Sequence, residues 1–230
     1  MRIHLSLVLL FALSGMAEAI EIKVQRSMPA KKLFSSVKDP APMEPQAIGG
    51  YARGCLAGAE ALPANGPGWQ TMRLFRNRFW GHPELIDFIE RLAKNAKEKD
   101  GWPGLLVGDL TQPRGGPMPG GHASHQSGLD VDIWLKPMPK KILTNKERNN
   151  VSAVSMKKSR SEVNPKTWTT KHAKLIRRAA LDKKVARIFS HPSIKKEMFE
   201  WSKGQKERTS WLRKLRPWYG HHYHFHVRLT

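Results

Sequence analysis

The chain has 230 residues, a formal net charge of +21 and a single cysteine, Cys55. Its length allows a substantial buried core and does not require more than one domain. The lone cysteine excludes an intrachain disulfide, and the charge favours an anionic partner such as nucleic acid, lipid headgroups or a cell-wall polymer.

The amino terminus narrows that choice. Met1-Arg2-Ile3-His4 is basic, Leu5 to Leu13 is almost wholly apolar, and Ala17-Glu18-Ala19 supplies small residues for cleavage. This pattern predicts a secretory signal peptide over residues 1–19. The apolar run is too short to span a bilayer and no later segment could do so. The mature chain is therefore expected outside the cytoplasm, which demotes nucleic acid.

Residues 20–48 read as an extended approach, because Pro29, Pro40, Pro42 and Pro45 punctuate it without a sustained period. Gly49, Gly50, Gly54 and Gly58 mark turns near the start of the folded region. Thr71 to Phe75 alternates and predicts a strand. Leu85, Ile86, Phe88, Ile89, Leu92 and Ala93 form a helical stripe after Pro83, ending at Asp100-Gly101. Leu105 to Gly108 is a short buried strand. Arg114 to Gly121 is too rich in glycine and proline for regular structure, and it lacks the Gly-Lys-Ser/Thr ending of a phosphate-binding loop. It reads as a rigid loop that lets substrate backbone approach. Asp130 to Leu135 predicts a strand and residues 136–165 a basic surface excursion. Helices are expected at Trp168 to Leu181, Pro192 to Trp201 and Trp211 to Leu215, with strands at Val185 to Phe189 and His222 to Leu229. No regular strand–helix–strand repeat emerges. The expectation is an α+β fold, a small antiparallel sheet flanked by helices and long loops.

Six of the ten histidines lie in two segments, Gly121 to Asp132 and His221 to His226. Imidazole nitrogen and carboxylate oxygen suit zinc, and a catalytic zinc keeps three protein ligands and one open position. Strand alternation puts Asp130 and Asp132 on one face and Val131 and Ile133 on the other. In the last strand it puts His222, His224 and His226 on one face, with Tyr223, Phe225 and Val227 opposite. Two neighbouring strands would then present carboxylates and imidazoles to one pocket. An unstructured histidine tract is the alternative, and the strict alternation with apolar residues argues against it.

Gly-Gly-His-Ala-Ser-His-Gln-x-Gly-Leu-Asp-Val-Asp-Ile, residues 120–133, resembles the signature of the penicillin-insensitive murein endopeptidases. These are metallopeptidases related to the lysostaphin-type and D-Ala-D-Ala peptidases. The group pattern of His, six residues, Asp and a later His-x-His is met by His125, Asp132 and His224-Phe225-His226. The likeness extends to Leu212-Arg213-Lys214-Leu215-Arg216-Pro217-Trp218 and Val227-Arg228-Leu229, and covers most of the chain from about Gly49. It implies a single metallopeptidase domain over residues 49–230, whose sheet carries the zinc site. It further implies that His125, Asp132 and His226 hold a catalytic zinc, with His122 lining the site and helping to hold a second ion. His224 would act beside the attacking water as general base or transition-state stabiliser, and His221 would be a further active-site histidine. Asp130 would orient one of the ligands. Family members carry several disulfides, whereas Cys55 has no partner here. The stretch from Asn145 to Lys166 does not follow the family, so no ligand is implied there.

The implied activity is hydrolysis of D-Ala–diamino acid cross-links in peptidoglycan in the periplasm, insensitive to β-lactams. The partner expected is peptidoglycan, with self-association as a homodimer left open, and with no nucleic acid and no membrane span. Free carboxylates on the diamino acid would suit the basic surface. Trp218, Tyr219 and Tyr223 either line the peptide groove or are core and rim aromatics. The alternatives are a zinc D,D-carboxypeptidase, a non-catalytic wall-binding module and a secreted nuclease.

Overall fold

Two strands set the architecture. Val131 and Ile133 on one, and Phe225, Val227 and Leu229 on the other, are fully buried in one hydrophobic cluster. Val131 lies opposite Val227 and Ile133 opposite Phe225, so they share a face. A computed structural model describes residues 28–230. The expected signal peptide and the first part of the approach lie outside the described residues.

The strands are β1 (Gln46–Gly50), β2 (Arg53–Ala57), β3 (Glu60–Ala61), β4 (Asn65–Gly66), β5 (Trp69–Thr71), β6 (Trp80–Gly81), β7 (Leu105–Val107), β8 (Asp130–Trp134), β9 (Val185–Ser190), β10 (Leu215–Pro217) and β11 (His224–Leu229). The helices are α1 (Ala30–Ser36), α2 (Pro83–Asp100), α3 (Asn145–Asn150), α4 (Thr170–Leu181), α5 (Pro192–Trp201) and α6 (Arg208–Leu212). The class is α+β, as the sequence predicts. The main sheet is larger than the small antiparallel one expected. It has seven strands in the order β10-β9-β11-β8-β7-β5-β4. Its centre, β9-β11-β8-β7, is antiparallel. On the flanks β10 runs parallel to β9 and β5 parallel to β7. Parallel neighbours need a crossover. Helix α2 lies in the connection from β5 to β7, and α5 and α6 in that from β9 to β10. No described helix is long and apolar enough to cross a membrane.

Helix α2 has the predicted bounds. Pro83 opens it, His82 Nδ1 accepts from Glu84 N at 3.3 Å, and Gly101 caps it in the left-handed region at φ 67°. Its buried stripe from Leu85 to Ala96 packs with Leu175, Ile176, Ala179 and Ala180 of α4 against the sheet.

Several segments differ from their sequence expectation. The strand expected at Thr71 to Phe75 ends at Thr71, where Arg73 turns left-handed at φ 57° and a 3-10 turn follows over Leu74–Arg76. The Arg73 guanidinium donates to Arg148 O and Val151 O, which draws the chain off the sheet. The approach is not wholly extended: α1 forms within it, and Phe34 packs over Gly116, where an added Cβ would fall 2.3 Å from the ring. The last short helix ends at Leu212, and Leu215 begins a strand. The 136–165 excursion is anchored. Thr144 and Glu147 form a capping box for α3, and Arg148 is 2 % exposed. Arg148 donates to Leu143 O, Ala64 O and Thr71 O and contacts Asn65 Oδ1.

Arg148→Ala takes the donor from Leu143 O and Thr71 O, while Ala64 O keeps Thr71 N, and each unsatisfied buried group costs about 1–3 kcal/mol. Denaturant unfolding should show a loss of at least about 2 kcal/mol; a change within error would mean that the excursion is not fastened by this side chain. His172 is buried between Trp102 and Trp168, and burial holds its pKa below the ordinary value. Its Nε2 donates to Leu135 O at 3.0 Å, and Nδ1 accepts from Thr169 N at 3.0 Å. The unfolded chain takes up this proton near pH 6.5 while the folded chain does not. The stabilisation is therefore complete above about pH 6.5 and is lost as pH falls below it. Thermal melting of the wild type should drop from pH 7 to pH 5, with a shallower slope in His172→Gln.

Candidate metal centre

The site lies on the face of β8 and β11 opposite the core. Asp130 and Asp132 of β8 stand there with His224, His226 and Arg228 of β11, and the register pairs Asp132 with His226. Asp132 Oδ1 is the focus. His226 Nδ1 lies 3.2 Å from it, His125 Nε2 3.5 Å and His224 Nε2 3.6 Å. All four residues are buried, yet Asp132 Oδ1 has no hydrogen-bond partner, nor has His125 Nδ1 or His226 Nε2. Unpaired buried polar atoms are costly, and a converging set of imidazole nitrogens and a carboxylate oxygen matches the donors a divalent transition metal takes. His122 joins the group: one ligand atom each from His122, His125 and Asp132 lie within 4.8 Å of one another. The cluster is thus compatible with a metal site.

Each imidazole is placed by a different device. His125 has φ 69°, an uncommon conformation for a residue with a side chain, costing about 1–3 kcal/mol. Its N–H donates to Asp130 Oδ2 at 2.9 Å, which compensates the turn. The hairpin of β1 and β2 braces the same loop: Gln126 N donates to Tyr51 O, Leu56 N to Arg114 O, and Gly54 N to the Gln126 side chain. Tyr51 reaches across to donate its hydroxyl to Leu229 O, so one hairpin ties the His125 loop to β11. His226 sits between two carboxylates, with Nε2 3.2 Å from Asp130 Oδ1 and Nδ1 facing Asp132. Asp130 is fully buried and also takes Arg228 Nε at 2.8 Å. Arg228 in turn lies over the Tyr51 ring at 4.1 Å and that of Phe189 at 5.2 Å.

The charges follow from these contacts. Burial favours the neutral acid for Asp132, but the imidazoles of His224 and His125 outweigh it and hold the carboxyl well below its usual range. Burial likewise opposes ionisation of Asp130, and His226, His125 and Arg228 overcome it. Burial disfavours charge on His226, yet Asp130 and Asp132 raise its pKa to about 9. Burial lowers His224. Burial and then His224 bring His221 down to about 4.

His221 and His222 exchange the places that alternation gives them. β11 begins only at His224, and the turn through Gly220, at φ 90°, breaks the period. The His221 ring stands 4.7 Å from that of His224 and 6.1 Å from that of His226. His222 instead points away, with Nδ1 3.0 Å from Ser155 Oγ and its ring 6.0 Å from His191. Trp218, Tyr219 and Tyr223 are exposed, so they are rim and not core. In the Gly/Pro loop, Gly115 and Gly116 pack tightly, whereas Gly120 and Gly121 open onto free space. Two supports were missed in the sequence, the Asp130–Arg228–Tyr51 stack and Asp109 beside His122. The first carries no local signal. The second had one, an acidic residue ending a buried strand.

The family described as penicillin-insensitive murein endopeptidase matches residues 47–230. A Haemophilus influenzae protein of that name is 44 % identical over 202 residues, covering 86 % of this chain and 68 % of its own length. A Pectobacterium atrosepticum protein of the same name is 40 % identical, covering 87 % of this chain and 70 % of its own. One from Klebsiella pneumoniae is 43 % identical, covering 80 % and 66 %. The chain thus spans about two thirds of the length of these relatives. With that likeness running through both halves of the buried histidine–carboxylate cluster, the chain belongs to the penicillin-insensitive murein endopeptidase family.

Proposed function

We propose that the chain is a zinc-dependent murein endopeptidase that cleaves D-Ala–diamino acid cross-links of peptidoglycan in the periplasm, through a catalytic unit spanning residues 49–230. The observation that carries this reading is the convergence of His125, His224 and His226 on an unpartnered, buried Asp132 Oδ1 in a member of this family. His125, Asp132 and His226 hold the zinc, and His122 stands at the edge of the donor set. Bound zinc supplies a Lewis acid and acidifies water to a pKa of about 7.

The remaining work falls to the protein's own groups. Asp130 Oδ1 stands 3.2 Å from His226 Nε2 and attracts that edge of the ring, with Nδ1 facing Asp132. His224 is neutral at pH 7 because burial lowers its pKa, so its Nε2 takes a proton from the attacking water and returns it to the leaving amine. His221, with a pKa of about 4, stays neutral beside it and adds no competing charge. The open glycines Gly120 and Gly121 let an extended peptide lie close to the site. The exposed Trp218, Tyr219 and Tyr223 form a rim against which sugar or peptide packs. The net charge of +21 attracts the anionic polymer.

Purified protein should cleave a cross-linked muropeptide dimer. A chelator should stop the reaction, zinc should restore it, and penicillin should leave it unchanged. A dimer that persists in the presence of zinc sinks the reading, and release of D-Ala from a pentapeptide monomer instead would make the protein a carboxypeptidase. His224→Ala should lower turnover by roughly 10²–10⁴ while the protein still sediments with peptidoglycan. Unchanged turnover in that variant would remove His224 from the proton transfer.

A further inference from the structure

Asp109 lies two residues past the end of β7, and nothing in the chemistry above uses it. It is 5 % exposed, and one oxygen, Oδ2, meets three donors: His122 Nε2 at 2.9 Å, Arg76 Nη1 at 3.1 Å and Arg78 Nη1 at 3.0 Å. Two guanidiniums on that oxygen balance its charge and leave it unsuited to a metal cation. Asp109 therefore does not act as a further carboxylate ligand. Its main chain is committed as well. Asp132 N donates to Asp109 O at 3.0 Å, and the adjoining Gly108 N donates to Asp132 O at 2.8 Å. Gly108 must lack a side chain here, since a Cβ would lie 3.1 Å from Asp132 O and 2.9 Å from Trp134 Nε1. Arg78 also donates, through its second nitrogen, to Pro119 O in the loop that leads to His122. One short segment thus grips Asp132 by its backbone, His122 by its carboxylate and the Gly/Pro loop through Arg78.

We propose that Asp109 is a positioning residue of the metal centre, setting the orientation of His122 beside His125 and Asp132 through the Nε2 contact, with Arg76 and Arg78 holding Asp109 in turn. His122 Nε2 is then engaged, and Nδ1 is its free ring nitrogen. This inference rests on the metal-centre reading, and its test is read on the metal itself and not on turnover alone.

Zinc affinity is measured by competition with a chromogenic chelator, and the visible spectrum is recorded after cobalt replaces zinc, for the full chain and for Asp109→Ala and Asp109→Asn. Asp100→Ala serves as the reference for loss of a buried ion pair elsewhere, since Asp100 takes Arg178 Nε at 2.8 Å and Nη2 at 3.0 Å between α2 and α4. Asp109→Ala should bind zinc about 10–100-fold more weakly and shift the cobalt spectrum. The isosteric Asp109→Asn, which keeps an acceptor, should lie between it and the wild type. Asp100→Ala should melt earlier with zinc affinity and spectrum unchanged. On the muropeptide dimer, kcat should fall in the Asp109 variants with KM little altered. Folded Asp109 variants with wild-type zinc affinity and spectrum overturn the proposal. Failure of both to fold also overturns it, because Asp109 would then be a residue of the fold alone. A wild type that binds zinc but leaves the dimer intact refutes the endopeptidase reading and leaves this inference standing on the affinities. A wild type that binds no zinc refutes both.

Discussion

The antiparallel register between β8 and β11 is the constraint on which everything else depends. It sets Asp132 against His226 and Ile133 against Phe225 in successive rows. Because side chains alternate, the same pairing that buries Val131, Ile133, Phe225 and Val227 turns two carboxylates and two imidazoles to the other side. A slip of one residue would carry Asp132 into the apolar core and a valine or isoleucine into the site. The hydrophobic effect acting on one face therefore holds the polar face in register.

That polar face gathers groups that would repel or desolvate one another if left alone. Asp130 and Asp132 are two residues apart and both buried. They are kept ionised by imidazoles and by Arg228, which itself lies over the rings of Tyr51 and Phe189. The left-handed turn at His125 adds backbone strain at the same place. Strain and unpaired buried polar atoms persist where surrounding structure over-determines them, and the β1–β2 hairpin supplies that restraint through Gln126 and Tyr51.

Much of this was legible in the residues because local pattern and tertiary fate agree. Helices α2 and α5 run over the spans that their prolines and apolar stripes mark. The division of β8 into site-facing aspartates and core-facing aliphatics is that of simple alternation. The failures have specific causes. Thr71 to Phe75 alternates, yet Arg73 is recruited by carbonyls of a segment over seventy positions away, which no local window records. Alternation carried back to His222 puts that residue in the site, but the strand begins only at His224, so the period does not reach it. Arg148 reads as one more surface charge among many, and only the folded chain brings the carbonyls of Ala64, Thr71 and Leu143 to its guanidinium. The parallel flanks of the sheet escape notice because each parallel pair has at least one strand only three residues long, β5 and β7 in one and β10 in the other.

The two strands of the site are also far apart along the chain: the ion pair that joins them, Asp130 with Arg228, spans 98 positions. Contacts of such separation form late, since the loop between them must first be closed. A chain synthesised amino terminus first presents His125 and Asp132 long before His224 and His226. Until then β8 lacks one neighbour, and the donor set is half complete. The topology therefore delays assembly of the centre until the last strand, β11, has been added, so the donor set closes only when the carboxy-terminal part of the fold is in place.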